Sequence, residues 1–342
     1  MICRRAICVL LALIVAGCAQ EPRTERHAFF ALGTLVEISV YDPPENIENI
    51  LHAVEAQLLE QENRWRAWGD GELAKINERL AAGDAVSLDD AMLAGIERAR
   101  DIAEQSGGRF NPAIGRMIEA WGFNSEEREA APPPDDAELA AMLPPPTLFA
   151  LEETGDGLWR TTDPCLWIDM GAFAKGLAVE NAINTLRQHG IENAIVNAGG
   201  DLKVIGQHGE RDWQIGVRDP RGDGVLAAID ASGNDSVFTS GDYERFFEWE
   251  GERYHHIIDP ATARPARGVT SVTIIHADAA LADAAATALF VAGPREWPAT
   301  ARALGIDKAM LVLANGDVEM TPMMRSRVEF VDSVPRVEIL AP

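Results

Sequence analysis

Segments with the two-residue period of strands and segments with the 3.6-residue period of helices follow one another irregularly along this 342-residue chain. Strand patterns occupy 29–41, 166–169, 194–197, 213–217, 225–229, 245–249, 271–276 and 309–313. Helical patterns occupy 46–66, 89–106, 174–189 and 279–291. A doubly wound parallel sheet needs regular alternation, so this order predicts an α+β fold with mixed or antiparallel sheets and helices packed on them.

The charge balance limits the possible ligands. The chain has 54 Asp and Glu against 30 Lys and Arg, a formal net charge of −24. A nucleic acid would be repelled, because no dense basic cluster follows the first few residues. An anionic ligand would need local help from a helix N-terminus or from a divalent cation.

The N-terminus has the pattern of an export signal. Arg4 and Arg5 precede an apolar run over 6–17, which is shorter than the ~20 residues that span a bilayer. The small residues before Cys18 are typical of a bacterial lipobox, which predicts a signal peptide over 1–17 and a lipid on Cys18. The alternative is a plain secretory signal with an incidental cysteine. The lipobox predicts a location on the periplasmic face of a bacterial membrane, anchored through Cys18.

Removal of the signal peptide determines which cysteines remain in the mature chain and where its first domain begins. Cys3 and Cys8 lie inside the signal, so Cys165 is the one cysteine left after a lipidated Cys18, and no intramolecular disulfide is expected. Residues 18–28 are expected to form a tether, and 29–342 a catalytic region. The proline-rich stretch 129–146 is the best candidate for an internal boundary.

Glycine-marked turns over 107–112, 169–176, 197–201 and 239–243 offer possible ligand sites. Most such glycines simply serve turns. The 169–176 turn leads from a predicted strand into a helix N-terminus, where free N–H groups and the helix dipole attract phosphate. Its spacing matches neither the Walker loop nor the dinucleotide fingerprint.

Two adjacent histidines end another predicted strand. His255 and His256 precede two isoleucines and Asp259-Pro260, so at most one of the imidazoles faces a site on an alternating strand. A histidine there can act as a general base near neutral pH. The alternative is a structural role, with the histidine satisfied by backbone groups or Asp259 capping a turn.

The alanine-rich helix 279–291 carries a possible metal site. Asp283 and Thr287 are four residues apart and share a helix face. A carboxylate and a hydroxyl so placed can both bind Mg²⁺. The alternative is an exposed Asp and a Thr that bonds back to its own helix. Trp68 is the tryptophan that we single out, since it lies in a predicted loop where it can stack on a ring.

In this order along the chain, the segments resemble the FAD:protein FMN transferases, the ApbE family of bacterial flavin-transfer lipoproteins. The resemblance runs from about Phe29 to about Leu313. It rests on Leu32-Gly33-Thr34, Glu72-Leu73 with Asn77, Gly108-Arg109-Phe110-Asn111-Pro112, Ile168-Asp169 through Lys175-Gly176, Asn197-Ala198-Gly199-Gly200-Asp201, Ser240-Gly241-Asp242-Tyr243-Glu244-Arg245, His256-Ile257-Ile258-Asp259-Pro260, and Ala282-Asp283 with Thr287.

The resemblance implies an ApbE-like, T-fold-related architecture and a specific reaction. Such enzymes bind FAD with a divalent metal, usually Mg²⁺, and transfer FMN to a threonine or serine hydroxyl of a protein, releasing AMP. The acceptors include subunits of membrane electron-transfer complexes such as sodium-translocating quinone reductases. By motif position His256 is the catalytic residue, the metal ligands are Asp283, Thr287 and the Ala172 carbonyl, and the FAD site is lined by Leu32, Trp68, Phe110, Asn111, Asp169, Lys175 and Ile257.

Several positions depart from the family pattern. Leu32 replaces a methionine, Trp68 a tyrosine, Asn111 an aspartate and Ala263 a glycine. Two other functions remain open on the sequence: a metal-dependent FAD pyrophosphatase, and a non-catalytic flavin-binding lipoprotein. A solute-binding protein would need two similar α/β lobes, which the segment order does not indicate.

Overall fold

The computed structural model describes residues 23–125, 131–331 and 334–342. The predicted signal peptide and Cys18 lie outside the described residues, as do the first two residues of the proline-rich stretch. The strands are β1 (Thr24–Ala31), β2 (Thr34–Tyr41), β3 (Leu151–Glu153), β4 (Trp159–Thr161), β5 (Ala194–Ala198), β6 (Asp201–Ile205), β7 (Trp213–Arg218), β8 (Val225–Ala231), β9 (Ser236–Gly241), β10 (Phe246–Trp249), β11 (Glu252–His255), β12 (Ile258–Asp259), β13 (Arg264–Pro265), β14 (Val269–His276), β15 (Ala309–Leu313), β16 (Val318–Met320), β17 (Val328–Phe330) and β18 (Val337–Ile339).

The helices are α1 (Ile47–Trp65), α2 (Glu72–Ala81), α3 (Asp90–Gln105), α4 (Gly115–Ala120), α5 (Asp136–Ala141), α6 (Ala174–Gln188), α7 (Ala279–Ala303) and α8 (Pro322–Arg325). Within the described residues, none of them is both long enough and apolar enough to cross a bilayer.

The main sheet contains nine of the described strands, in the order β1-β2-β5-β6-β9-β14-β15-β16-β18. Neighbouring strands are antiparallel except β16 and β18. A separate antiparallel sheet has the order β17-β8-β7. The predicted α+β class with mixed or antiparallel sheets is confirmed.

The two faces of the main sheet have different neighbours. Ile274 of β14 packs into the core formed with α1, α6 and α7, and the next residue, Ile275, packs into the core shared with the small sheet. Lys203 of β6 follows the same alternation: it points toward α6, where its Nζ lies 3.2 Å from a Glu180 carboxylate oxygen. This alternation of side chains sets the helices on one face and the small sheet on the other.

The long helix α7 lies directly against α6. Its N-cap, Asp278, accepts a hydrogen bond from the Leu281 N–H at 2.9 Å. The run of alanines lets the two backbones approach closely: a Cβ on Gly176 of α6 would lie 2.3 Å from the Ala279 carbonyl oxygen. Gly293, with φ 66° and ψ −177°, interrupts the helical path, so the predicted helix over 279–291 is the first of two consecutive runs.

A third small core surrounds α4 and the β12–β13 hairpin. Trp121 is buried there and donates its Nε1–H to the Ala263 carbonyl at 2.8 Å. Ala263 has φ 56°, a left-handed conformation that favours glycine. The resemblance expects glycine at this position, and the backbone keeps the conformation that glycine would adopt.

The predicted strand over 166–169 is wrong. In the described structure this segment forms one isolated bridge, between Trp167 and Ile114. Both backbone groups of Ile168 bond instead to the buried Asn77 side chain, at 2.8 and 2.9 Å. The sequence analysis also missed α2, which carries Asn77 into the core. The predicted helices over 46–66, 89–106 and 174–189 are confirmed, and the pattern over 29–41 is the β1–β2 hairpin.

Candidate active site

The turn over 169–176 is held rigidly at the start of α6. The Asp169 N–H donates to the Pro112 carbonyl at 2.8 Å, and its Oδ1 accepts from the Gly171 N–H at 2.8 Å. Ala172 follows, half-buried, and α6 begins at Ala174. The predicted helix N-terminus is therefore present directly after the turn.

A pair of stacked indoles borders this turn. Trp68 lies on Trp167 with ring centroids 4.8 Å apart and planes tilted by 16°. The Trp68 Nε1–H points to Asp169 Oδ2 at 3.3 Å, and the Trp167 Nε1–H donates to the Ala67 carbonyl at 3.1 Å. Trp68 is half-exposed, so part of an aromatic surface remains available beside the turn.

Charged side chains meet where α6 begins. Lys175 forms an ion pair with Asp201, the first residue of β6. The second carboxylate oxygen of Asp201 accepts from the Thr239 N–H at 2.9 Å. Asp283 of α7 accepts from the Gly176 N–H at 2.9 Å. Two carboxylates and one ammonium group therefore lie together, and α6, α7 and β6 each contribute one.

The electrostatics of this cluster leave negative charge in excess. Burial, and after it the nearby Asp201 carboxylate, raise the pKa of Asp283 to about 7 against the opposing effects of Lys175 and the Gly176 N–H. Burial by itself lowers the pKa of Lys175, but the carboxylates of Asp201 and Asp283 outweigh it and raise that pKa. A buried carboxylate that ionises this reluctantly fits a bound cation, which would supply the missing positive charge.

The predicted metal-ligand pair also shares this region. Thr287 lies one turn after Asp283 on α7, and its hydroxyl is 3.1 Å from the Ser240 hydroxyl of β9. The alternative of a Thr bonding back to its own helix is therefore not what the structure shows. The Thr287 and Ser240 hydroxyls add oxygen atoms next to the carboxylates.

His256 follows β11 and is half-buried, whereas His255 is buried and contacts the Ala266 carbonyl at 2.8 Å. The two imidazoles therefore take different environments, as predicted. His256 Nδ1 lies 3.2 Å from the Arg245 carbonyl oxygen. A carbonyl can only accept, so we assign the proton to Nδ1, which leaves the lone pair on Nε2.

Burial lowers the pKa of His256 well below its ordinary value, and the positive charges of Arg245 and Lys175 lower it further. The imidazole is therefore neutral at neutral pH and able to accept a proton. The Lys175 charge acts on both His256 and Asp283. Lys175 thus connects the histidine with the carboxylate cluster.

Other predicted ligand-lining residues have mainly structural contacts. The Phe110 and Ile257 side chains are buried in the core. The Asn111 amide donates to the Pro146 carbonyl at 3.0 Å and its oxygen accepts from the Ala113 N–H at 3.0 Å. Leu32 has φ 56° in the β1–β2 turn, and its N–H donates to a Glu62 oxygen at 3.1 Å. A ligand contact for these residues stays a prediction.

The predicted alternative that Asp259 caps a turn is confirmed, because its carboxylate accepts from the Ala261 N–H at 2.9 Å and the Thr262 hydroxyl at 3.0 Å. The sequence analysis missed Asp201 and Arg245 as individual site residues. Both lie in motifs that it quoted, and an acidic residue after the Gly199-Gly200 turn was the available signal for Asp201.

Fold and site together define an α+β protein in which two carboxylates and a lysine meet at a helix N-terminus, with a half-buried histidine. The sequence model of the ApbE family matches residues 32–310. The chain belongs to the ApbE family.

Several proteins are similar over most of the chain. A Rhodobacter capsulatus protein named FAD:protein FMN transferase is 37% identical over 96% of this chain, which spans 64% of that relative's length. A Treponema pallidum protein of the same name is 33% identical, over 96% of this chain and 95% of the relative. The crystal structure of the ApbE protein from Thermotoga maritima has a TM-score of 0.81 at 34% identity and covers 89% of this chain and 99% of that one.

The flavin transferase ApbE from Vibrio cholerae has a TM-score of 0.78, over 90% of this chain and 99% of that one. Its 24% identity supports the shared fold alone. The predicted ApbE-like architecture is confirmed by these structures.

Proposed function

We propose that this chain transfers FMN from FAD to a threonine or serine hydroxyl of an acceptor protein and releases AMP. The observation that carries the proposal is the hydrogen bond of His256 Nδ1 to the Arg245 carbonyl, which leaves Nε2 to accept a proton, together with the Lys175–Asp201 ion pair and the Asp283 carboxylate at the start of α6. Relatives named FAD:protein FMN transferase support the same reaction.

In the proposed reaction, the acceptor oxygen forms a bond to the FMN phosphorus, and the bond from that phosphorus to the bridging oxygen breaks. AMP leaves with the electron pair. The acceptor proton goes to His256 Nε2, while Nδ1–H stays on the Arg245 carbonyl and fixes the ring. A positioned general base contributes about 10²–10⁴-fold to such a step.

A divalent cation, Mg²⁺ in our proposal, would be held by Asp283, Thr287 and the Ala172 carbonyl. When bound, it neutralises charge on the diphosphate. Fit is supported by the donor set, a buried Asp283 carboxylate with the Thr287 hydroxyl one helical turn later. Burial and the Asp201 charge raise the pKa of Asp283 to about 7, so added positive charge would favour its ionised form. Lys175 adds a positive charge at the start of α6, where the Gly176 N–H already donates to the Asp283 carboxylate at 2.9 Å.

The aromatic surface of Trp68 is proposed to stack on a ring of FAD. The hydrogen bond from its Nε1 to Asp169, 3.3 Å long, would orient the indole. Leu32, Phe110, Asn111 and Ile257 are proposed to complete the binding site from the adjacent turns, through backbone groups where the side chains are buried.

An assay for covalent flavin tests the proposal. The purified protein is incubated with FAD, Mg²⁺ and a candidate acceptor subunit of a membrane electron-transfer complex, and in-gel flavin fluorescence is recorded. We expect a fluorescent acceptor band and an equal amount of AMP. Free FMN with AMP but no band would establish the pyrophosphatase instead, and tight FAD without turnover would establish a flavin-binding protein.

The His256→Asn variant tests the histidine itself. The Asn amide can still donate to the Arg245 carbonyl but offers no basic nitrogen. We expect the transfer rate to fall by about 10²–10⁴-fold while FAD stays bound. A matched control is His189→Ala, at an exposed histidine after α6. Equal rates for the two variants would reject the role of His256.

We further propose a lipid anchor on Cys18 at the periplasmic face of a bacterial membrane. The support is the pattern of Arg4-Arg5, the apolar run over 6–17 and Cys18. Labelling with a fatty-acid analogue tests it. We expect label on the wild-type chain and none on Cys18→Ser; equal labelling of both would reject the anchor.

A further inference from the structure

Two histidines and one glutamate meet at the edge of the main sheet, away from the charged cluster at the start of α6. His27 belongs to the edge strand β1, and His52 and Glu55 are three residues apart on α1, so they share a helix face. Their ligand atoms all lie within 4.8 Å of one another. We propose that His27, His52 and Glu55 form a second metal site, for a divalent transition ion of the zinc class.

The distances suit such an ion. Tetrahedral zinc, with bonds of about 2.0–2.2 Å, separates neighbouring ligand atoms by about 3.3–3.6 Å. His52 Nδ1 is already 3.5 Å from a Glu55 oxygen. His27 Nε2 is 2.7 Å from the same oxygen, in a hydrogen bond that an inserted ion would replace. The third pair, between the two imidazoles, lies within 4.8 Å. Opening the His27–Glu55 pair by less than 1 Å, with a matching adjustment of the imidazoles, would give three ligands of a tetrahedron, with water as the fourth.

The donor atoms select a different metal from that proposed for the active site. Two imidazoles and one carboxylate favour zinc and its neighbours, whereas Mg²⁺ prefers oxygen ligands. The His27 hydrogen bond lowers the pKa of Glu55 against the opposing effect of burial, so the carboxylate is ionised and ready to bind. The centroids of the His27 and His52 rings lie 5.2 Å apart, and His27 also contacts Glu55. The three side chains therefore need little rearrangement to bind an ion.

The site is accessible and joins two separate elements. The side chains of His27, His52 and Glu55 are 22%, 69% and 29% exposed, so an ion can enter from solvent. Binding would cross-link the edge strand β1 to α1. Residues 24–28 of the predicted tether belong to β1, so only a shorter tether before Thr24 would lead into this cross-link.

Metal titration of the chelator-treated full chain tests the proposal. Zn²⁺ binding is followed by calorimetry, and Co²⁺ binding by its visible absorption. We expect one equivalent bound by imidazole and carboxylate ligands, and a zinc-dependent rise in Tm by mass action. His52→Ala and Glu55→Gln are expected to weaken that equivalent by at least about 10–100-fold, since loss of even an outer-shell partner costs that much.

Two controls separate this site from others. His189→Ala removes an exposed histidine elsewhere, and Asp283→Asn removes the proposed active-site ligand, so both are expected to keep the zinc equivalent. Circular dichroism checks that each variant is folded. Zinc isotherms and Tm shifts that are the same for wild type, His52→Ala and Glu55→Gln would overturn the proposal, whatever the FMN-transfer activity of the chain.

Discussion

Replacing Gly176 with alanine tests whether the contact between α6 and α7 sets the geometry of the site. A Cβ at this position would lie 2.3 Å from the Ala279 carbonyl oxygen and 2.7 Å from the Ala280 Cα. Both are backbone atoms, which cannot move aside as a flexible side chain does. Ordinary contact begins at 3.4 Å, so the two helices must separate by about 1 Å.

The size of the effect follows from that displacement. Overpacking of this kind costs about 1–3 kcal/mol. A 1 Å separation would also stretch the Gly176–Asp283 hydrogen bond from 2.9 Å to beyond bonding distance. Leaving a buried acceptor without its donor costs a further ~1–3 kcal/mol. We therefore expect Gly176→Ala to lower the free energy of unfolding by about 2–6 kcal/mol.

Activity should fall as well, because Asp283 moves relative to Lys175. Misplacement of a catalytic constellation by about 1 Å can cost about 10²-fold in rate. Urea denaturation gives the stability, and covalent flavin fluorescence at saturating FAD gives the rate, corrected for the folded fraction. The control is Gly216→Ala at an exposed position of β7, where a Cβ meets Val225 at an ordinary 3.4 Å. A Gly176→Ala variant as stable and active as that control would refute the reasoning.

Three further outcomes follow from the contacts of single side chains. For the metal-free protein, we expect Tm to fall as pH rises from about 4 to about 7. The pKa of Asp283 is raised from 3.8 to about 7, so over this range the folded chain keeps a proton that the unfolded chain has lost. Asp283→Asn should flatten the slope of Tm against pH, and an unchanged slope would reject the burial argument. Trp68→Ala should remove about 0.5–1.5 kcal/mol of stacking, which raises the Kd for FAD about two- to twelvefold. A flavin fluorescence titration measures the Kd, with Trp68→Phe as the aromatic control. Equal Kd values for the two variants would contradict stacking. Lys203→Ala should cost about 3–5 kcal/mol in urea denaturation, since it leaves Glu180 without the fully buried ammonium 3.2 Å away; a loss below ~1 kcal/mol would mean that water solvates Glu180 well enough.

Most elements could be predicted because their signals are local. The β1–β2 hairpin alternates apolar and polar residues, and α1 repeats apolar residues at helical spacing, so neighbours in sequence decide each conformation. The strand prediction for residues 166–169 was wrong because a distant contact, and not a local pattern, determines their conformation. Its apolar residues resemble a buried strand, but the Asn77 side chain, 91 residues away, takes both backbone hydrogen bonds of Ile168.

The amino-acid sequence by itself determined the α+β class, the order of motifs that carries the family resemblance, and the separate environments of His255 and His256. Only the tertiary structure decided that Lys175 pairs with Asp201, that the Gly176 N–H reaches Asp283 from 107 residues away, and that His27 meets Glu55. These contacts depend on which helix faces and strand edges pack together. A local pattern chooses helix or strand, but long-range packing chooses the partners, because burial and close approach are properties of the folded chain.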